Sequence, residues 1–231
     1  MPSPPPGSVA LEVAGEVLWL LPERALYWPA AGVLAVADLH WGKAETFQQH
    51  GVPVSSRLLG DDLARLDAAL ARTAARRLLI LGDLIHGAVG LTRGVVAEAT
   101  AWLSARPVPV TLTAGNHDAH VATLPAAWGV EVVDALTLGP FHFCHAPEGE
   151  AAGYVWCGHE HPTVRVGGRG GVRLPAFRVG GRRGVLPAFS AFSGGPAVRR
   201  APGERAFGVA GARVVEVPPA RPPLDAVGSA R

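Results

Sequence analysis

At 231 residues, 48% hydrophobic and 17% charged, the chain is long enough to bury one sizeable core and fits a compact soluble protein with a net formal charge of +2. No apolar run approaches the roughly 20 residues that span a bilayer, and Met1-Pro2-Ser3-Pro4-Pro5-Pro6 lacks the basic and apolar regions of a secretory signal. Two cysteines, Cys144 and Cys157, make no disulfide framework, so the chain reads as cytoplasmic and not membrane-associated.

In chain order, Val33–Ala37 is a short apolar run that ends at Asp38, and Leu78–Leu81 is a second that ends at Gly82-Asp83. Between them the spacing of Leu59, Leu63, Leu66 and Leu70 predicts a helix over residues 55–75, behind Pro53 and a Ser55/Ser56 cap. A second helix is predicted over residues 92–105, opened by Thr92, with Val95, Val96, Ala99, Trp102 and Leu103 on one face. Further strands run from Val108 to Leu112 before Gly115-Asn116, from Phe141 to Cys144 before His145, and from Tyr154 to Cys157 before Gly158-His159. Continuous apolar runs of this length suit strands buried on both faces, and their alternation with helices implies an α/β fold with sheets covered by helices. After His161 the chain turns Gly- and Arg-rich, with apolar stretches at 172–179, 185–192 and 206–216. Leu174-Pro175-Ala176-Phe177 returns as Leu186-Pro187-Ala188-Phe189, which predicts two adjacent strands. A single domain is expected over residues 1–217, and the four prolines of residues 218–231 read as a disordered tail.

Five motifs at these strand ends carry the chemistry: Asp38-Leu39-His40, Gly82-Asp83, Gly115-Asn116-His117-Asp118, His145 and Gly158-His159-Glu160-His161. Together they supply the oxygen and nitrogen donors of a two-metal phosphoesterase site. Asp38 and His40 alternate along a segment expected to be extended, so both would point to one side. Asp83 is the natural bridging carboxylate, after a glycine that permits a sharp turn. Asn116 adds a neutral oxygen, and His145, His159 and His161 complete the set with imidazoles. Mixed donors without thiolate suit manganese, iron or zinc better than magnesium or calcium alone, and do not choose among the three; manganese is the metal expected, with iron or zinc as alternatives. A bridging hydroxide would attack the phosphodiester in line, while His117 protonates the leaving oxygen and Asp118 orients the His117 ring. Lys43, the only lysine, either meets a substrate phosphate or opens a solvated helix, and His86 either supports the centre or meets substrate. Residues 165–205 hold nine arginines against Glu204 alone, either a polyanion-binding rim or a set of exposed hairpin arginines.

These motifs resemble the calcineurin-like metallophosphoesterase superfamily over about residues 38–161. That resemblance implies a single-domain, four-layer αββα sandwich with metals at one end. It also implies one metal held by Asp38, His40, Asp83 and His161 and a second by Asp83, Asn116, His145 and His159. Gly82-Asp83-Leu84-Ile85-His86-Gly87 lacks the phosphate-binding arginine of phosphoprotein phosphatases and looks more like the double-strand-break-repair nucleases. Ala37–Ala44, Gly51–Val54, Gly158–Pro162 and Leu186–Gly195 are similar to the ligase-associated DNA damage response endonucleases of PdeM type. Membership there implies a metal-dependent endonuclease for DNA, with single-stranded or damaged ends as its substrate, beside an ATP-dependent DNA ligase, a helicase and an exonuclease.

The residues themselves argue only phosphoester hydrolysis. An enzyme for a small nucleotide diester or lipid-linked pyrophosphate is the competing reading. A non-catalytic repair scaffold is a third, although such scaffolds lose metal ligands and this chain lacks none. The short spacings, 26 residues from Asp118 to His145 and 13 from His145 to His159, leave no room for a large cap and predict an open site.

Overall fold

The computed structural model describes residues 3–106, 108–118, 125–147, 152–167 and 171–219. Its first sheet has seven strands in sequence order. An antiparallel front, β1 (Val9–Val13), β2 (Glu16–Leu21), β3 (Ala25–Trp28) and β4 (Val33–Ala37), gives way to a parallel half. That half continues from β4 through β5 (Arg77–Leu81), β6 (Val110–Thr113) and β7 (Val130–Val133). The crossovers carry α1 (Lys43–Gln49) and α2 (Leu58–Thr73) before β5, and α3 (Arg93–Ser104) after it. Both longer helices fall where the leucine spacing and Thr92 place them, and the Thr92 side chain accepts from the Val95 amide at 3.3 Å. The antiparallel front and α1 have no counterpart in the sequence reading.

The second sheet pairs β8 (Ala135–Leu138), β9 (Phe141–Cys144) and β10 (Tyr154–Cys157), with β9 and β10 parallel. Beyond β10 it continues through β13 (Arg183–Val185), β12 (Val172–Val179), β14 (Arg205–Ala210) and β15 (Arg213–Val217), while β11 (Thr163–Val166) pairs with β12 off this path. Both sheets are mixed, and they face each other across one core.

Strand alternation divides the apolar residues between two layers. Leu18, Leu20, Ala35 and Leu79 meet Phe141, Phe143, Trp156, Phe177 and Phe207 between the sheets. Their neighbours Trp19, Leu21, Leu34, Val36 and Ile80 point the other way, against Leu63 and Leu66 of α2 and Val95, Ala99 and Trp102 of α3. Burial on both faces is why these strands read as unbroken apolar runs. The metallophosphoesterase sandwich expected from the motifs is therefore the fold, in a single domain. The described α-helices lie in the first half of the chain; behind the second sheet, Cys144, Val155, Cys157 and Val185 form a small apolar cluster of their own. Both cysteines are buried there, and neither is joined in a disulfide.

The expected strand over residues 185–192 forms only as far as Val185. The Leu174–Phe177 copy lies in β12, but Leu186–Phe189 leaves the sheet and crosses to the first one. Leu186 N donates to Cys157 O at 2.8 Å and Phe189 N donates to Ala37 O at 2.7 Å. Pro187 has no amide to offer a ladder, and Phe189 is buried on the helix side rather than between the sheets. Of the expected tail, residues 220–231 lie outside the described residues.

Three side chains pin this crossing segment. Arg24, in the turn between β2 and β3, donates to the carbonyls of Ala188, Phe189 and Ser190 at 3.4, 3.3 and 2.9 Å. Burial, then the neighbouring Arg65, pulls its guanidinium down to about 10, still fully charged near neutral pH. From α2, Arg65 donates to Phe189 O at 2.6 Å and lies 4.6 Å over the Phe189 ring, while Asp62 accepts from the Ala191 amide at 3.3 Å. Arg24→Met keeps the stem but leaves the three carbonyls without their shared donor. A loss of about 2 kcal/mol in unfolding free energy is expected, read from the urea midpoint, with faster proteolysis within residues 186–195.

Candidate metal centre

Past the ends of β4 and β5 the two chains stay paired. Asp38 N donates to Gly82 O at 3.2 Å, His40 N to Asp83 O at 2.8 Å, Trp41 N to Leu84 O at 2.8 Å and His86 N to Trp41 O at 3.0 Å. The first two motifs are thus one interlocked unit. The extended alternation expected for Asp38 and His40 is not what places them: their φ angles are +57° and +50°. Asp83, His159 and His161 are likewise left-handed, at +51°, +67° and +46°. Five of the seven expected ligands sit in this sparsely populated region, where non-glycine residues are strained. Gly82, at φ +73°, is required for a second reason, since a Cβ there would lie 2.0 Å from His145 Nδ1.

Two groups of donors result. Asp38, His40, Asp83 and His161 offer ligand atoms that all lie within 4.8 Å of one another. His40 Nε2 faces His161 Nε2 at 3.4 Å and Asp83 Oδ2 at 3.8 Å, and His161 Nε2 lies 3.4 Å from Asp38 Oδ1. On the other side, His145 Nε2 lies 3.0 Å from Asn116 Oδ1, 3.0 Å from His159 Nδ1 and 3.6 Å from Asp83 Oδ1. Asp83 belongs to both groups. His145 Nδ1 is 3.1 Å from Leu81 O, which as a donated hydrogen bond leaves the Nε2 lone pair free for a cation.

The residues fit a pair of divalent cations. Asp38 and Asp83 are buried, and their side chains accept from the His159 and His117 amides. Burial lowers the pKa of half-buried Lys43, which Asp38 and Asp83 only partly offset. Two buried carboxylates facing opposed imidazole nitrogens need more positive charge than Lys43 supplies. Burial, with Lys43 next, pushes His40 down to about 2, so its ring is neutral and free to ligate. His40, His86 and His117 form another close group of nitrogens on the same flank.

His117 is half-buried. Its Nδ1 lies 3.0 Å from the carbonyl of His86, which leaves Nε2 as its open nitrogen. Asp118 does not orient this ring as expected. Its oxygens accept from the Gly115 and Ile85 amides at 2.9 and 3.2 Å, tying the third motif to the second. His86 stacks on His117, centroids 4.9 Å apart at 18°, and burial pushes it down to about 4. Lys43 Nζ donates to Ser193 Oγ at 2.8 Å, so Ser193 of the crossing segment is part of the site. Sequence reasoning missed Ser193 although it lies in the quoted Leu186–Gly195 motif; it also missed Arg24, Asp62 and Arg65, for which no local signal exists.

Glu160, between the two ligand histidines, pairs with Arg178 at 2.7 Å and Arg183 at 3.4 Å. Arg205 pairs with Glu216, and Arg173 and Arg200 donate to backbone carbonyls. Several arginines of this stretch are therefore already paired or hydrogen-bonded within the protein, at its surface. A cavity of about 600 Å³ opens beside the second group, lined by Asn116, His145 and His159 and by His142, Cys144 and Val155 of the second sheet.

The calcineurin-like phosphoesterase family model matches residues 32–166. The solved structure of Pseudomonas putida nuclease MPE is similar at 35% identity, covering 91% of this chain and 100% of that one, with a TM-score of 0.80. A phosphoesterase from E. coli, Yfce, is 16% identical over 80% of this chain and 97% of its own, at a TM-score of 0.43. No curated protein sequence matches the chain. A family model spanning more than half of the chain, laid over all five motifs, and a full-length structural match at 35% identity settle its affiliation: the chain belongs to the calcineurin-like phosphoesterase family and is a hydrolase of phosphoric esters.

Proposed function

We propose that the protein is a two-metal phosphodiesterase that cleaves DNA, with manganese as its native metal and single-stranded or damaged ends as its substrate. The observation that carries this reading is Asp83, shared between two ligand groups, in a chain 35% identical to a nuclease over 91% of its length. In this reading Asp38, His40, Asp83 and His161 hold one cation, and Asp83, Asn116, His145 and His159 the other. When bound, two divalent cations neutralise phosphoryl charge and lower the pKa of water at the site. His117, whose Nδ1–H is held by the His86 carbonyl, acts in its doubly protonated form and gives the Nε2 proton to the leaving oxygen. Lys43 leaves Ser193 to meet a non-bridging phosphate oxygen. Association with an ATP-dependent DNA ligase, a helicase and an exonuclease in the cytoplasm belongs to the same proposal and rests on the resemblance of the motifs. Among the described residues no helix is long and apolar enough to cross a membrane. A small-diester hydrolase is the second reading, favoured by the open cavity beside Asn116 and His145.

Mn-dependent hydrolysis of bis-p-nitrophenyl phosphate, p-nitrophenyl phosphate, and labelled single-stranded and nicked DNA separates the two readings. Diester and DNA cleavage supports the nuclease, and a strong preference for small monoesters would overturn it. Asp83→Asn is expected to lower kcat at least about 100-fold and to reduce bound metal, measured by elemental analysis. His117→Gln is expected to keep its metal while kcat on DNA falls about 10²–10⁴-fold. The loss should be smaller on bis-p-nitrophenyl phosphate, whose leaving group needs no proton; loss of metal instead would make His117 a ligand.

A further inference from the structure

Phe192 stands apart from the other aromatic side chains. At 38% exposure it is the only aromatic among the exposed large hydrophobic residues of the described chain. It does not sit on a loose loop. Its amide donates to Ser190 Oγ, Arg24 holds the Ser190 carbonyl at 2.9 Å, Asp62 holds the Ala191 amide, and Ser193 receives Lys43 at 2.8 Å. Gly195 then packs so closely on the His161 carbonyl that a Cβ would lie 2.0 Å from its oxygen. The ring is thus displayed from a segment fixed against the metal centre.

The display continues inward. Phe192 meets Phe47 edge to face at 5.3 Å and 89°, Phe47 lies over His86 at 6.2 Å and 29°, and His86 stacks on His117. Phe47 and Lys43 are four residues apart on α1, hence on one face about 6 Å apart along the axis. The same helix face presents an ammonium to Ser193 and an aromatic ring to Phe192, two consecutive residues of the crossing segment.

We infer that Phe192 and Phe47 form a stacking subsite for an unpaired nucleobase adjacent to the scissile phosphate, on the Lys43 side of the metals. This rests on the phosphodiesterase reading above and names where one flanking nucleotide lies. A flat apolar ring face one helical turn from a cation matches a nucleotide, which places a π-face a few ångströms from its phosphate. Base–aromatic stacking of this kind tolerates any base and requires the base to be out of a duplex. The wet, cationic side is taken by Lys43 and the metals, which leaves the rings free for the base.

The test is abasic scanning. Single-stranded oligonucleotides carrying one abasic residue at successive positions around the cleavage point are cut by the full-length protein with Mn²⁺, alongside Phe192→Ala and Phe192→Trp. In the wild type, KM is expected to rise about tenfold at one position, the order of one lost stack. In Phe192→Ala the penalty at that position disappears because the intact oligonucleotide already carries it, and Phe192→Trp restores it. Unchanged thermal unfolding of both variants excludes a folding defect. An abasic penalty equal in wild type and Phe192→Ala, or no penalty at any position, would overturn the stacking subsite while leaving the nuclease reading intact. Hydrolysis of bis-p-nitrophenyl phosphate with no cleavage of any oligonucleotide would instead sink the nuclease reading, and the subsite with it.

Discussion

Two carboxylates, Asp38 and Asp83, are buried side by side at the ends of adjacent parallel strands, and the rest of the site follows from keeping them there. An ionised carboxylate taken out of water is costly unless cations and hydrogen bonds meet it. The protein supplies the hydrogen bonds from the other motifs: the His159 amide reaches Asp38 and the His117 amide reaches Asp83. Each acid therefore fixes the backbone of a segment that carries further ligands. The parallel pairing continues past the strand ends through residues 38–41 and 82–86, so the two acids cannot move apart independently. Left-handed backbone at five of the candidate ligand positions is the local cost, and it persists because the paired chains and the sandwich below over-determine it. A parallel sheet is well suited to this, since its strands all end on one edge.

The third wall of the site comes from the far end of the chain. The crossing segment ties β10 of one sheet to β4 of the other, then carries Phe192, Ser193 and Gly195 past α1 and His161. Its carbonyls and amides run outside any ladder, so they need partners. Arg24 satisfies three carbonyls from one side, and Arg65 and Asp62 satisfy a carbonyl and an amide from the other. An arginine can do this because its fork of donors stays charged even when burial lowers its pKa. The segment is thereby hydrogen-bonded from both sides without being a strand.

This explains what the sequence made legible. Ligand types and their order are local: each motif is a few residues long, and the apolar run before it announces the strand that carries it. The same is true of α2, whose leucines repeat at helical spacing, and of the Thr92 cap of α3. The roles of Arg24, Asp62 and Arg65 are not local. Arg24 acts 164 to 166 residues away from its own position, and nothing near it in sequence marks it out. The repeat of Leu-Pro-Ala-Phe misled for a related reason: similar residues were buried in different layers, Phe177 between the sheets and Phe189 against the helices. Asp118 looked like the partner of its neighbour His117, but adjacent residues on a tight turn diverge, and its carboxylate turned back to the amides of Gly115 and Ile85.

Charge counting along the chain was a further place where position outweighed composition. Nine arginines against one acid between residues 165 and 205 left open either a polyanion-binding rim or a set of exposed hairpin arginines. In the fold, Glu160 takes two of them, Glu216 takes Arg205, and Arg173 and Arg200 serve carbonyls. A guanidinium held in a bidentate or carbonyl-bound geometry offers fewer free donors to a passing phosphate than its formal charge implies. Glu160 sits between His159 and His161, so its pairing with Arg178 and Arg183 steadies the turn that presents both imidazoles. The arginines from β12 and β13 thus act on the metal centre through its scaffold. Under the proposed nuclease reading, recognition at the centre falls to the cations, to Lys43, and to the ring faces beside it, which is a division suited to a substrate whose phosphate and base must be met on different sides.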